Sequence, residues 1–118
     1  LGHSTVLLKM DGFTVLTDPV LGSHCGVDLK VTQLGLKRLV APALTVDELP
    51  HVDLVLVSHA HFDHLDTPTL GALESRQREV VMASQTSDLI GASAFKRVTE
   101  LRWNEQMEVG PLRVKAVE

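Results

Sequence analysis

Apolar positions along the chain fall into short runs separated by turn-forming residues, and the first two runs are the clearest. Thr5 to Met10 (TVLLKM) and Phe13 to Thr17 (FTVLT) are rich in β-branched and apolar side chains, with Asp11-Gly12 between them. Asp-Gly suits a two-residue hairpin turn, whose central positions must accept positive φ. Strands are therefore expected at about 4–10 and 13–17. Asp18-Pro19 closes the second, because proline has no N–H to give to a ladder. From 20 to 51 the pattern loosens, with Gly22, Gly26, Gly35, Pro42 and Pro50 punctuating short apolar stretches. A short helix is expected from Thr45 to Leu49, where Thr45 can cap and Glu48 sits three residues on. Connections of this length are often functional or mobile.

Val52 to Val57 (VDLVLV) is almost continuously apolar, as in a strand buried on both faces of a sheet covered by helices. A polar cluster follows at once. Thr67-Pro68 then reads as an N-cap with proline at the first helical position, and Leu70 with Leu73 supplies an apolar stripe. Strand, polar loop and helix thus come in order. The pattern repeats more faintly, with Glu79 to Ala83 as a strand, Thr86 to Phe95 as a helix and Arg97 to Arg102 as a strand. Gln106 to Val109 and Leu112 to Val117 flank a Gly110-Pro111 turn. The fold class is α/β.

With 118 residues, 44% of them hydrophobic, the chain can bury a core and has no apolar run long enough to span a membrane. A soluble globular domain is expected. Its formal charge of −4 is spread without long runs, so no basic face advertises nucleic acid. Aromatic residues make up 3% with no tyrosine, which leaves few platforms for base stacking. The single cysteine, Cys25, cannot close an internal disulfide; this fits a reducing compartment, and a cytoplasmic location is expected.

The polar cluster carries the chemistry. LVSHAHFDHLD, residues 56–66, holds three of the six histidines directly after the apolar strand. His59, His61 and Asp63 are spaced by two, so their side chains can converge from a looped backbone without a helix. His64 points elsewhere, and two neighbouring metal positions result, His59 with His61 and Asp63 with His64. Imidazole and carboxylate together suit zinc and also iron or manganese. A loop at the carboxyl end of a strand is where open α/β sheets place their sites.

HAHFDH resembles the HxHxDH signature of the metallo-β-lactamase fold superfamily. Its setting resembles the branch containing N-acyl phosphatidylethanolamine phospholipase D and ascorbate-6-phosphate lactonase. LGHSTVLLKMDGFTVLTDP is similar to that branch's opening hairpin, and ELRWNEQMEVGPLRVKAVE to the strands after the metal loop. The resemblance implies an αββα sandwich of which residues 1–118 form the N-terminal half, a partial domain. It implies that His59 and His61 bind one metal and Asp63 and His64 a second, with Asp63 also catalytic. The cofactor implied is zinc, two ions in the intact protein. The reaction implied is hydrolysis of an ester-like bond, a phosphodiester, phosphoester or lactone, by a metal-activated water. The substrate would be a small-molecule or lipid-like ester, and the fragment alone is expected to be inactive. Two alternatives stay open: a di-iron redox member of the same fold, and a non-catalytic metal-binding or interaction domain. Histidine at 61 favours the hydrolase, since the redox members often place glutamate there.

Other polar residues admit two readings each. Asp18 in TDP either caps a turn or supports the metal loop, as the family's aspartate at the end of its second strand does. His3 in LGHST either enters a strand with a backbone hydrogen bond or lies near the site mouth. His24 and Cys25 lack partners at ligand spacing and read as ordinary loop residues. His51 reads as a solvated loop residue, Asp66 as a helix cap or a brace for the loop, and Trp103 as a packing residue in the last strands.

Overall fold

A computed structural model describes residues 1–22, 24–29, 32–37, 41–91 and 93–118. Its frame is a five-stranded sheet in the order β1 (Val6–Met10), β2 (Phe13–Thr17), β5 (Leu54–Val57), β6 (Glu79–Ala83), β7 (Arg97–Leu101). β1 and β2 are antiparallel, and Met10 pairs with Phe13 across the Asp11-Gly12 turn. Both turn residues have positive φ, 51° and 78°, as the hairpin requires. The β2–β5, β5–β6 and β6–β7 pairings are parallel. Two antiparallel ribbons complete the strands, β3 (His24–Leu29) with β4 (Thr32–Lys37), and β8 (Gln106–Val109) with β9 (Leu112–Lys115).

Alternation along the strands divides the core in two. Leu16, Val55, Val57, Val80 and Met82 face α1 (Thr67–Ala72) and its flanks, where they meet Leu65, Leu70 and Leu73. Val15, Leu54, Val81 and Leu101 face the other way and are covered by the β8–β9 ribbon through Val109, Met107, Leu112 and Val114. The near-continuous run at 52–57 is thus buried on both faces. A helix covers one face and a hairpin the other, where helices alone were expected.

Three sequence expectations are corrected in detail. The cap of α1 is Asp66, one residue before Thr67; its carboxylate accepts from the Thr69 amide (3.2 Å) and the Thr69 hydroxyl. Pro68 still sits in the first turn, where its missing N–H costs nothing. The helix expected over 86–95 is only a 3-10 turn, Ser87–Ile90, stopped by Gly91 with φ 62°. Glu100 on β7 takes the amides of Gln85, Thr86 and Ser87 at 2.8–3.0 Å, anchoring this segment to the sheet. Trp103 does not pack in the strands: it lies in the turn after β7 with 64% of its surface exposed. At 45–49, by contrast, the expected short helix forms as a 3-10 turn, Val46–Glu48. The Glu48 carboxylate accepts from the amide (2.9 Å) and hydroxyl (2.8 Å) of Thr45.

Candidate metal centre

The sheet presents its parallel strands' carboxyl ends on one side, and β5 runs directly into the HAHFDH loop there. Both ends of the loop are fixed. Leu65 is buried in the core and Asp66 caps α1, while the amides of His64 and Leu65 fold back on the His61 carbonyl at 2.9 and 2.8 Å. At the other end Asp18 holds Ser58. Asp18 leaves β2 with φ 40°, a left-handed conformation that Asp tolerates better than most residues and that ends the strand. Its Oδ1 accepts from the Ser58 amide at 2.7 Å and its Oδ2 from the Ser58 hydroxyl at 2.8 Å. The same Oδ2 lies 2.8 Å from His64 Nδ1. Asp18 therefore supports the loop and is not a simple turn cap.

These contacts bear on which ring nitrogens carry protons. In the His64 tautomer that donates from Nδ1 to Asp18 Oδ2, Nε2 keeps its lone pair. Ser58 gives its proton to Asp18, so its oxygen is left to accept from His59 Nδ1 at 2.9 Å. His59 Nε2 is then bare as well. One buried carboxylate thus contacts one imidazole directly and a second through a hydroxyl.

The four loop residues form two adjoining pairs. His59 Nε2 is 3.2 Å from His61 Nδ1, and His64 Nε2 is 3.6 Å from Asp63 Oδ2. The His59 and His64 rings lie 4.1 Å apart between centroids. Two ligands bound tetrahedrally at about 2.0–2.1 Å from zinc are themselves about 3.3–3.4 Å apart. The two pairs, at 3.2 and 3.6 Å, lie on either side of that separation. His3 joins the second pair, with Nε2 2.9 Å from Asp63 Oδ2, and one ligand atom from each of His3, Asp63 and His64 lies within 4.8 Å of the others. The His3 hydrogen bond outweighs the opposing effect of desolvation and holds the Asp63 carboxyl below its ordinary value. Ser4 adds contacts to His64 Nδ1 (3.2 Å) and the Asp63 carbonyl (3.5 Å).

His51 stands apart, exposed and 3.1 Å from Asp53 Oδ1, as a solvated residue should. His24 and Cys25 lie in the β3 ribbon and not in a loop; their side chains fall outside the described residues. Sequence reasoning missed the roles of Ser58 and Ser4 and the contact of His3 with Asp63. A serine immediately before the first histidine was the only local signal.

Beside the loop opens a cavity of about 690 Å³, sharing Asp18 and Ser58 with it and floored by Leu56, Val81 and Leu101. Trp103, Arg102 and Lys115 also line it.

Residues 14–118 match the family described as the beta-lactamase superfamily domain. The chain belongs to the β-lactamase superfamily. It is 39% identical to an uncharacterized protein of Mycobacterium tuberculosis over 98% of its own length and 31% of the relative's. It is 31% identical to the N-acyl-phosphatidylethanolamine-hydrolyzing phospholipase D 1 of Caenorhabditis elegans over 92% of its length and 32% of that protein's. This superfamily chain thus spans about a third of the length of these relatives. Its fold matches the crystal structure of isothiocyanate hydrolase from Delia radicum gut bacteria with a TM-score of 0.65 and 24% identity, covering 90% of this chain and 41% of that one. The domain has the metallo-β-lactamase fold. Among the described residues, no helix is long and apolar enough to cross a membrane.

Proposed function

We propose that the protein is a metal-dependent hydrolase of an ester-like bond, with His59 and His61 holding one ion and Asp63 and His64 a second. The observation that carries this is the bracing of the loop by Asp18, which holds Ser58 and His64 Nδ1 while His59 Nε2 and His64 Nε2 lie 3.2 Å from His61 Nδ1 and 3.6 Å from Asp63 Oδ2. A neutral histidine whose other nitrogen donates to a carboxylate is the usual form of a metal ligand. Zinc suits this nitrogen-rich set best, with iron or manganese as alternatives of the same donor chemistry. When bound, such an ion makes water acidic enough to yield a nucleophile near neutral pH and stabilises negative charge developing on the substrate. Asp63 has a catalytic part too: with Oδ2 turned to the imidazoles, its other oxygen accepts a hydrogen bond from the attacking water and orients it.

The cavity supports a small-molecule or lipid-like ester as substrate. Its floor is aliphatic, and Arg102 and Lys115 line it with positive charge, which suits a phosphodiester or phosphoester bearing an apolar group. The relationship to a phospholipase D that hydrolyses N-acyl-phosphatidylethanolamine points the same way. The lone Cys25 supports a cytoplasmic location.

His59→Ala tests the reading. Elemental analysis should find less metal per chain, and hydrolysis of an activated phosphodiester and of a lactone should be lost. Full metal content with unchanged hydrolysis would sink the proposal.

A further inference from the structure

Asp63 has two tasks in the proposed reaction, one oxygen facing an ion and the other facing the attacking water. The last torsion of an aspartate is broad and two-fold, so either oxygen could take either task unless something selects between them. Resting on the metal reading above, we infer that His3 is the positioning residue for Asp63, holding Oδ2 towards His64 and leaving the other oxygen for water.

Geometry is the first support. His3 Nε2 lies 2.9 Å from Asp63 Oδ2, and the same oxygen is 3.6 Å from His64 Nε2. In the tautomer that donates from His3 Nε2, the bond is charge-assisted and stronger than a neutral one. A carboxylate oxygen has two lone pairs, so Oδ2 can accept from His3 and still offer an electron pair to an ion. The contact joins two residues of this chain, and its role does not depend on how many further donors each ion has.

Backbone placement is the second. His3 holds φ 52° within the tight turn closed by the Gly2–Thr5 bridge, and such conformations persist where the surroundings fix them. Thr5 Oγ1 donates to the Asp18 carbonyl at 2.8 Å and accepts from the Val20 amide at 3.1 Å. The turn that carries His3 is therefore fastened to the residue that fastens the metal loop. Register is the third support. Ser4 reaches the Asp63 carbonyl at 3.5 Å and His64 Nδ1 at 3.2 Å, so two successive side chains of the turn meet two successive residues of the loop. A positioning group works only when it is itself positioned, and His3 is.

The test compares His3→Gln, His3→Leu and His3→Gly in the intact protein, with cobalt(II) as the probe. Glutamine keeps an N–H to donate, leucine of similar size does not, and glycine removes the donor while accepting positive φ freely. Matching thermal midpoints would verify that the turn survives. Cobalt affinity, read by competition with a chelator, should fall about tenfold or more in His3→Leu and His3→Gly and stay close to wild type in His3→Gln. The visible bands of bound cobalt should change in the same two variants only. On an activated phosphodiester, kcat should fall about 10–100-fold in those two with KM unchanged, and glutamine should restore it. Wild-type affinity and bands in His3→Leu and His3→Gly overturn the inference and leave the metal reading standing. Equal losses in all three variants also overturn it, because the ring and not its N–H would then be what matters. Failure of wild type to bind cobalt at all overturns it together with the metal reading.

Discussion

Replacing Asp18 by asparagine should reverse the proton on His64 while leaving the chain folded. The amide keeps the shape of the carboxylate and tolerates the left-handed φ of 40°. Its oxygen can still accept from the Ser58 amide, but the NH2 group now faces His64 Nδ1, which must become an acceptor. The proton moves to Nε2, the atom turned towards Asp63 at 3.6 Å. Three contacts of 2.7–2.8 Å to a carboxylate that is 10% exposed lose their charge. Charged hydrogen bonds contribute about 1 kcal/mol more than neutral ones, so the variant should be destabilised by roughly 2–3 kcal/mol. Metal affinity should fall about 10–100-fold, as for loss of other groups that orient ligands. Nitrogen-15 shifts of the His64 ring report the tautomer directly, and competition with a chromogenic chelator reports the affinity. Asp18→Asn with Nε2 still unprotonated and wild-type affinity would refute the reasoning.

Other expectations are independent of metal. Gly110 has φ 55°, and a Cβ there would lie 2.6 Å from the Phe13 ring, so Gly110→Ala should cost about 2–4 kcal/mol in a denaturant titration from strain and overpacking together. Leu16 is fully buried against Leu70 and Leu73, and Leu16→Ala should cost about 3–5 kcal/mol by the same measurement. Glu100 is held at about 2 by the Ser87 hydroxyl and by the amides of Ser87, Gln85 and Thr86, against an ordinary value of 4.5. Its contribution is complete above 4.5 and is lost as the pH falls through about 2; the thermal midpoint should drop less across this window in Glu100→Gln than in wild type.

Much of this was legible from local chemistry. Asp11-Gly12 between two β-branched runs leaves little but a hairpin, and the apolar run ending at Val57 leaves little but a buried strand at the lip of a site. The HAHFDH spacing brought four donors together because a loop needs no distant partner to do so. What was not legible depends on contacts far apart in sequence. Thr86 to Phe95 has helical residues, yet Glu100 claims the amides that would begin the helix, and Gly91 turns the chain away. Trp103 looks like core by composition, and only the turn between β7 and β8 sets it outside. The second face of the sheet asked for cover, but nothing local said that a hairpin would provide it. His3 and Asp63 are sixty positions apart, so their contact has no sequence period at all.

Because the site is braced across such separations, it is a late product of folding. The Asp18–Ser58 contacts span forty residues and exist only once β2 and β5 have found their parallel register, Thr17 against Leu56. Non-local parallel pairing is slow, because loop closure must come before any contact offsets it. The HAHFDH segment, however, carries its donors within six positions from the moment it is synthesised, with nothing to fix its tautomers. An ion present early would meet these donors in the unfolded chain and stabilise that state too, eroding the advantage of the folded one. Refolding before metal is added should therefore be faster and cleaner than refolding in its presence.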